Sequence, residues 1–172
     1  MKIYLIKTAT ETKHLSTILF PLVFKRETGR IVSYDELPRS ENGKPEPIDD
    51  IYFNISHSGK YWCVVFSDAE CGVDIEVNRQ LNPRIAKKIL YPNEQLIDGD
   101  LLKNWVIKEA YAKMTGAGIG IGLNTINPTE IANKCTITDL SEDDYTCYAI
   151  GNSSVDEAIK LDWNGVELFS TN

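Results

Sequence analysis

The sequence predicts an α+β fold: two similar sheet-plus-helix halves in one compact unit, residues 1–78 and residues 79–172. Three observations carry that expectation. Short β-rich runs with period-two patterning cluster in the middle of the chain and recur near its end. Helical stretches accompany them, one in the first half and two in the second. The order is strand, helix, loop and three strands, then two helices and three strands, so a sheet-plus-helix pattern occurs twice. No residue-level repeat accompanies it, and the junction is expected near residues 77–82.

The elements follow in order. KIYLIKT, residues 2–8, alternates and is β-rich, which predicts a strand. HLSTILFPLVFKRETG, residues 14–29, reads as a helix with a kink at Pro21 and a stop at Gly29. SYDELPRSENGKPEPIDD is polar and holds Pro38, Gly43, Pro45 and Pro47, which predicts a loop. IYFNIS, YWCVVFS and CGVDIEV are strand candidates, joined by HSGK and DAE, short enough for hairpin turns. NPRIAKKIL begins a short helix at Pro83. NEQLIDGDLLKNWVIKEAYAKMTG, residues 93–116, is a helix interrupted near Gly99. KCTITDL, YTCYAIGNS and IKLDWNGVELF complete the strands.

Composition bounds the function. The chain has 172 residues, is 42% hydrophobic and 25% charged, and carries a net charge of −7. That balance fits a globular domain and lacks the basic footprint of a nucleic-acid binder. No apolar run approaches the ~20 residues that span a bilayer. Lys7, Glu11 and Lys13 break up the opening apolar patch, so it reads as a strand and not a signal peptide, and the expected location is the cytoplasm. Cys63, Cys71, Cys135 and Cys147 include no CxxC pair, and the histidines are His14 and His57, so no zinc-ligand cluster forms. The cysteines are expected to be reduced thiols. Lys25, Arg26 and Arg30 form one basic cluster and Arg84, Lys87 and Lys88 another. Each reads as a solvated helix face or as an anion contact.

Three constellations can carry chemistry. In CGVDIEV, Gly72, Asp74 and Glu76 share one strand face, with Val73, Ile75 and Val77 on the other. Neighbouring carboxylates repel unless a cation lies between them, and a hard divalent ion is the usual remedy. The alternative is a wetted acidic face. In the second helix of the second half, Trp105, Glu109 and Lys113 lie on one stripe, with Lys108 turned about 100° away. Glu109 and Lys113 are either a surface ion pair or an acid and a cation aimed at a phosphate. In FNISHSG, His57 stands between Ser56 and Ser58 before a glycine turn. This suits an anionic group or a plain turn histidine. Adjacent strand residues point apart, which argues against a Ser56–His57 nucleophilic dyad. TGAGIGIG follows a helix and is not succeeded by Lys-Ser or Lys-Thr, so it is no P-loop, and Gly116 reads as a helix C-cap.

Taken in order, GKP (43–45), FNISHS (53–58), GVDIE (72–76), YPNE (91–94) and WVIKEAYAK (105–113) resemble the phosphopantetheinyl transferase superfamily. The resemblance runs from about Gly43 to Gly120, and the type is the long, pseudo-dimeric one that activates surfactin synthetase and related carrier proteins. It implies two halves about a pseudo-twofold axis, with coenzyme A in the cleft between them. It implies transfer of phosphopantetheine from coenzyme A to a serine of an apo acyl, peptidyl or other carrier protein, releasing adenosine 3′,5′-bisphosphate. Asp74, Glu76 and Glu109 match the Mg²⁺-binding positions. Glu109 also matches the residue that deprotonates the serine, and Lys113 and His57 match phosphate contacts. Lys44, Ser56 and Lys108 join the coenzyme A set. The implied partners are coenzyme A and the carrier protein, with no nucleic acid or membrane, and the implied state is a monomer. Val106 departs from the small polar or Cys residue usual at its place. The first half is short, lacking the upstream basic residues that grip the 3′-phosphate, which leaves Lys25, Arg26 or Arg30 as substitutes. The rival expectations are the short trimeric holo-synthase type, a non-catalytic module that binds coenzyme A or a carrier protein, and a Mg²⁺-dependent phosphodiesterase.

Overall fold

A computed structural model of the protein describes residues 1–117, 122–165 and 168–169. The strands are β1 (Lys2–Thr8), β2 (Tyr52–Ser58), β3 (Tyr61–Ser67), β4 (Gly72–Val77), β5 (Thr136–Asp139), β6 (Tyr145–Gly151) and β7 (Glu157–Trp163). The α-helices are α1 (Ser16–Thr28), α2 (Ala86–Ile89), α3 (Leu101–Thr115) and α4 (Pro128–Lys134).

The strands form two sheets, ordered β2-β3-β1-β7 and β4-β6-β5. Period-two patterning stacks them. On β1 and β3, Tyr4, Ile6, Trp62, Val64 and Phe66 face the core under α1. Their neighbours Ile3, Leu5, Cys63 and Val65 meet Val73 and Ile75 of β4 and Cys147 and Ala149 of β6 in a core between the sheets. Tyr148 and Ile150 of β6 face the third core, with Leu102, Val106 and Ala110 of α3. The layers are therefore helix, sheet, sheet, helix, and apolar residues on both strand faces reflect burial on both sides.

Two expectations are corrected. The sheets do not divide at residue 78. β4 pairs with β6 in the second sheet, and β7 returns to lie parallel to β1 in the first. The DAE segment is accordingly a crossover between sheets and not a hairpin turn. The reason lies in Val73 and Ile75, both fully buried, which complete the inter-sheet core only from the second sheet. The β2–β3 hairpin forms as expected around Gly59 and Lys60. The second correction is α4, which the strand-based reading passed over. Its signal was NP: Asn127 caps the helix through the Thr129 amide, and Pro128 takes the first turn.

Other boundaries agree with the patterning. α1 continues through Pro21 and ends at Gly29 in the left-handed region. The helix expected over 93–116 forms only from Leu101: residues 93–100 hold turns and bridges, Asp98 and Gly99 take positive φ, and Asp100 then caps α3 through the Leu102 amide at 2.9 Å. Val166 and Glu167 of the last strand candidate, and 118–121 of the glycine-rich run, lie outside the described residues.

Candidate active site

β4 and α3 build one wall of a cleft of about 600 Å³. Their close approach depends on Gly72. A Cβ there would lie 2.0 Å from the Ala110 carbonyl oxygen and 2.8 Å from the Met114 amide. With the helix seated on Gly72, Asp74 and Glu76 share the cleft with Trp105, Glu109 and Lys113. Gly116, left-handed at φ 66°, ends α3 there. β2 supplies Ser56 and His57, and the loop before it supplies Lys44.

The carboxylates are held unequally. Asp74 is buried, and its Oδ1 accepts the Ser56 hydroxyl at 2.8 Å and the Lys113 ammonium at 2.6 Å. Its Oδ2 is buried without a hydrogen-bond partner among the described residues. Glu76 Oε2 accepts Ser58 at 2.8 Å and Arg79 at 2.6 Å. Glu109 is buried and makes no hydrogen bond or ion pair with another described residue. Burial, then the Asp74 charge, raises its pKa, with Lys113 opposing. Lys113 therefore pairs across the cleft with Asp74, not along its helix with Glu109. Burial and the Lys113 charge lower the pKa of His57 against the pull of Asp74 and Glu76.

Among the described residues, no three acidic, imidazole or thiol side chains are gathered into a finished metal-ligand set. Asp74, Glu76 and Glu109 share the cleft, but Lys113 and Arg79 draw Asp74 and Glu76 into separate ion pairs. The donor chemistry still fits a hard cation: Asp74 Oδ2 is an orphaned anionic oxygen beside an unpartnered Glu109.

Lys108 is not in the cleft. It lies on the far side of α3, 1% exposed, with its ammonium on the Ile89 carbonyl at 2.7 Å and on Glu94 at 2.5 Å. Burial lowers its pKa against the hydrogen bond it donates to Glu94. The Tyr91 amide and Asn104 also bind Glu94, which gives the YPNE motif a structural reading as a buried anchor for α3. Ser56 lines the cleft, but its hydroxyl is committed to Asp74, Lys113 and the Ile75 amide. The Lys44 ammonium pairs with Glu70 and donates to the Met114 carbonyl at 2.5 Å, at the end of α3. None of Lys25, Arg26 and Arg30 lines the cleft; Arg30 pairs with Asp49, and Arg26 stacks on Phe169.

Sequence reasoning missed Arg39. Its guanidinium lies 4.9 Å from the Tyr34 ring centre and donates to the Gly43 carbonyl, at the cleft wall. Among the described residues no carboxylate pairs with it, whereas Lys44 and Lys113 are each neutralised. An irregular loop offers no periodicity to reveal such a residue; the chain reversal at GKP was its one signal.

Residues 70–161, just over half of the chain, match the family model of the 4′-phosphopantetheinyl transferase superfamily. The chain belongs to that superfamily. Asp74, Glu76, Glu109 and Lys113 fall inside the matched segment; Arg39, Lys44 and His57 precede it. The chain is 33% identical over 96 residues to the 4′-phosphopantetheinyl transferase gsp of Aneurinibacillus migulanus, covering 51% of this chain and 40% of the relative. It is 27% identical over 161 residues to the 4′-phosphopantetheinyl transferase Sfp of Bacillus subtilis, covering 86% of this chain and 70% of the relative. A putative 4′-phosphopantetheinyl transferase of Synechocystis is 34% identical over 104 residues, 51% of this chain and 42% of the relative. The match to gsp and to the Synechocystis protein thus spans about two fifths of each relative's length. Among the described residues, no helix is long and apolar enough to cross a membrane.

Proposed function

We propose that this protein transfers 4′-phosphopantetheine from coenzyme A to a serine hydroxyl of an apo carrier protein, releasing adenosine 3′,5′-bisphosphate. The observation that carries the reading is the meeting of Glu109, an unpartnered buried carboxylate, with Asp74, Lys113 and His57 in one cleft. Membership of the superfamily supports the reaction class.

In this reading the serine oxygen attacks the pantetheine-side phosphorus of the pyrophosphate. The bond from that phosphorus to the bridging oxygen breaks, and the nucleotide leaves with its electron pair. Glu109 accepts the serine proton, and its raised pKa makes it a stronger base than an ordinary carboxylate. The Lys113 ammonium, 2.6 Å from Asp74, turns to the phosphate charge once coenzyme A enters. His57 offers a ring N–H to a phosphate oxygen, and Lys44 and Arg39 line the wall where further anionic groups of coenzyme A would lie. Asp74, Glu76 and Glu109 would hold Mg²⁺, which would supply Lewis-acid polarisation and neutralise pyrophosphate charge. The exposed Arg84, Lys87 and Lys88 offer a basic dock for an acidic carrier. Two sheet-plus-helix layers in one chain support action as a monomer, and four free cysteines suit the reducing cytoplasm.

The test is mass spectrometry of a purified apo carrier protein after incubation with this protein, coenzyme A and Mg²⁺, with and without EDTA. A phosphopantetheine mass gain that EDTA abolishes is expected. Binding of coenzyme A without mass gain on any carrier type would replace the reading with a non-catalytic module.

A further inference from the structure

β2 and β4 are the facing edges of the two sheets, and side chains stand in for the missing backbone ladder. Every second residue of β2 accepts an amide of β4. Asn54 Oδ1 takes the Val73 N–H at 3.1 Å, Ser56 Oγ the Ile75 N–H at 3.3 Å, and Ser58 Oγ the Val77 N–H at 3.2 Å. Asn54 stops there. Each serine still has a hydroxyl hydrogen and donates it to the carboxylate one residue back: Ser56 to Asp74 Oδ1 and Ser58 to Glu76 Oε2, both at 2.8 Å. The two-residue period of both strands makes this a repeating unit, amide to hydroxyl to carboxylate.

We infer that Ser58, together with Ser56, is a positioning residue for the acidic strand: each serine ties one carboxylate oxygen to the seam between the sheets and leaves the other for a divalent cation. The inference rests on the metal reading under Proposed function. For Asp74 the oxygen left over is the orphaned, buried Oδ2. For Glu76 the seam and Arg79 both engage Oε2, leaving Oε1. A hydroxyl suits the position because one atom both accepts and donates. Alanine loses both bonds, threonine keeps both, and Asn54 provides an internal control: a seam bond that touches no carboxylate.

The experiment measures Mn²⁺ affinity by electron paramagnetic resonance, with coenzyme A present, alongside urea stability. Ser58→Ala and Asn54→Ala each lose a seam bond, so both lose stability. Only Ser58→Ala is expected to weaken Mn²⁺ binding, by about 10- to 100-fold, the usual effect of removing a hydrogen-bond partner of a metal ligand. Ser58→Thr is expected to restore it. Equal Mn²⁺ affinity in Ser58→Ala and Asn54→Ala overturns the positioning role while leaving the metal reading intact. A wild-type protein that takes up coenzyme A but no Mn²⁺ overturns the metal reading, and the inference with it.

Discussion

Gly72→Ala is the perturbation that most directly links packing to chemistry. The added methyl would sit 2.0 Å from the Ala110 carbonyl oxygen, where ordinary contact begins near 3.4 Å. The deficit is about 1.4 Å, and the Met114 amide and Cβ, at 2.8 and 2.9 Å, block a sideways escape. Because backbone atoms cannot rotate aside, α3 must lift from β4. Overpacking of this kind costs ~1–3 kcal/mol, and two rigid backbone neighbours put the site at or above the upper end. Ala110 and Met114 are the sequence neighbours of Glu109 and Lys113, so the same lift carries both away from Asp74. A misplacement of about 1 Å is enough for a ~100-fold loss of turnover. Urea unfolding followed by tryptophan fluorescence reads the first effect, and the carrier-protein mass assay reads the second. Gly29→Ala is the comparison. It also strains a helix end, at φ 76°, but nothing lies within 4 Å of its Cβ, so it costs only the ~1–2 kcal/mol of a left-handed alanine and leaves turnover alone. A Gly72→Ala protein with near-normal stability and turnover would refute the claim that contact at Gly72 sets the site.

On the proposed mechanism, Glu109→Gln is expected to abolish transfer yet stabilise the metal-free fold at neutral pH. The folded state raises the Glu109 pKa and so holds its proton more tightly than the unfolded chain. Wild-type stability therefore falls as pH rises through the raised folded value, and the gap to Glu109→Gln opens in the same direction, read as a growing difference in thermal unfolding midpoint. A gap that is constant with pH would contradict this. Glu94→Ala leaves the buried Lys108 ammonium uncompensated and costs ~3–5 kcal/mol in urea unfolding, whereas replacing both partners with apolar residues costs less. Arg39→Gln removes a cleft cation that has no carboxylate partner among the described residues, and is expected to weaken coenzyme A binding by ~1.5–3 kcal/mol in calorimetry, whereas Arg26→Gln, outside the cleft, is expected to leave it unchanged.

Much of the site was legible as spacing. Asp74 and Glu76 share a strand face because strands have period two, and Glu109 and Lys113 share a helix face because they are four apart. Those periods are local, so the sequence alone carries them. It was the partners that could not be read. Lys113 reads in sequence as a partner of Glu109 or of a phosphate, and only the seating of α3 on Gly72 brings it to Asp74. Lys108 adjoins the site in sequence and faces away from it, because one residue on a helix is a turn of about 100°. Ser58 reads in sequence as one more hydroxyl beside His57, and its bond to Glu76 exists only because β2 and β4 lie edge to edge.

The sequence by itself determined most of the elements, the α+β class, and the residue types that can bind phosphate and a hard cation. Each depends on the periodicity or chemistry of neighbouring residues. Tertiary structure decided which sheet each strand joins, which cations neutralise which carboxylates, and which oxygen of Asp74 is left unpartnered. Those outcomes turn on contacts between residues far apart in the chain, set by burial of Val73 and Ile75 and by the absence of a Cβ at Gly72.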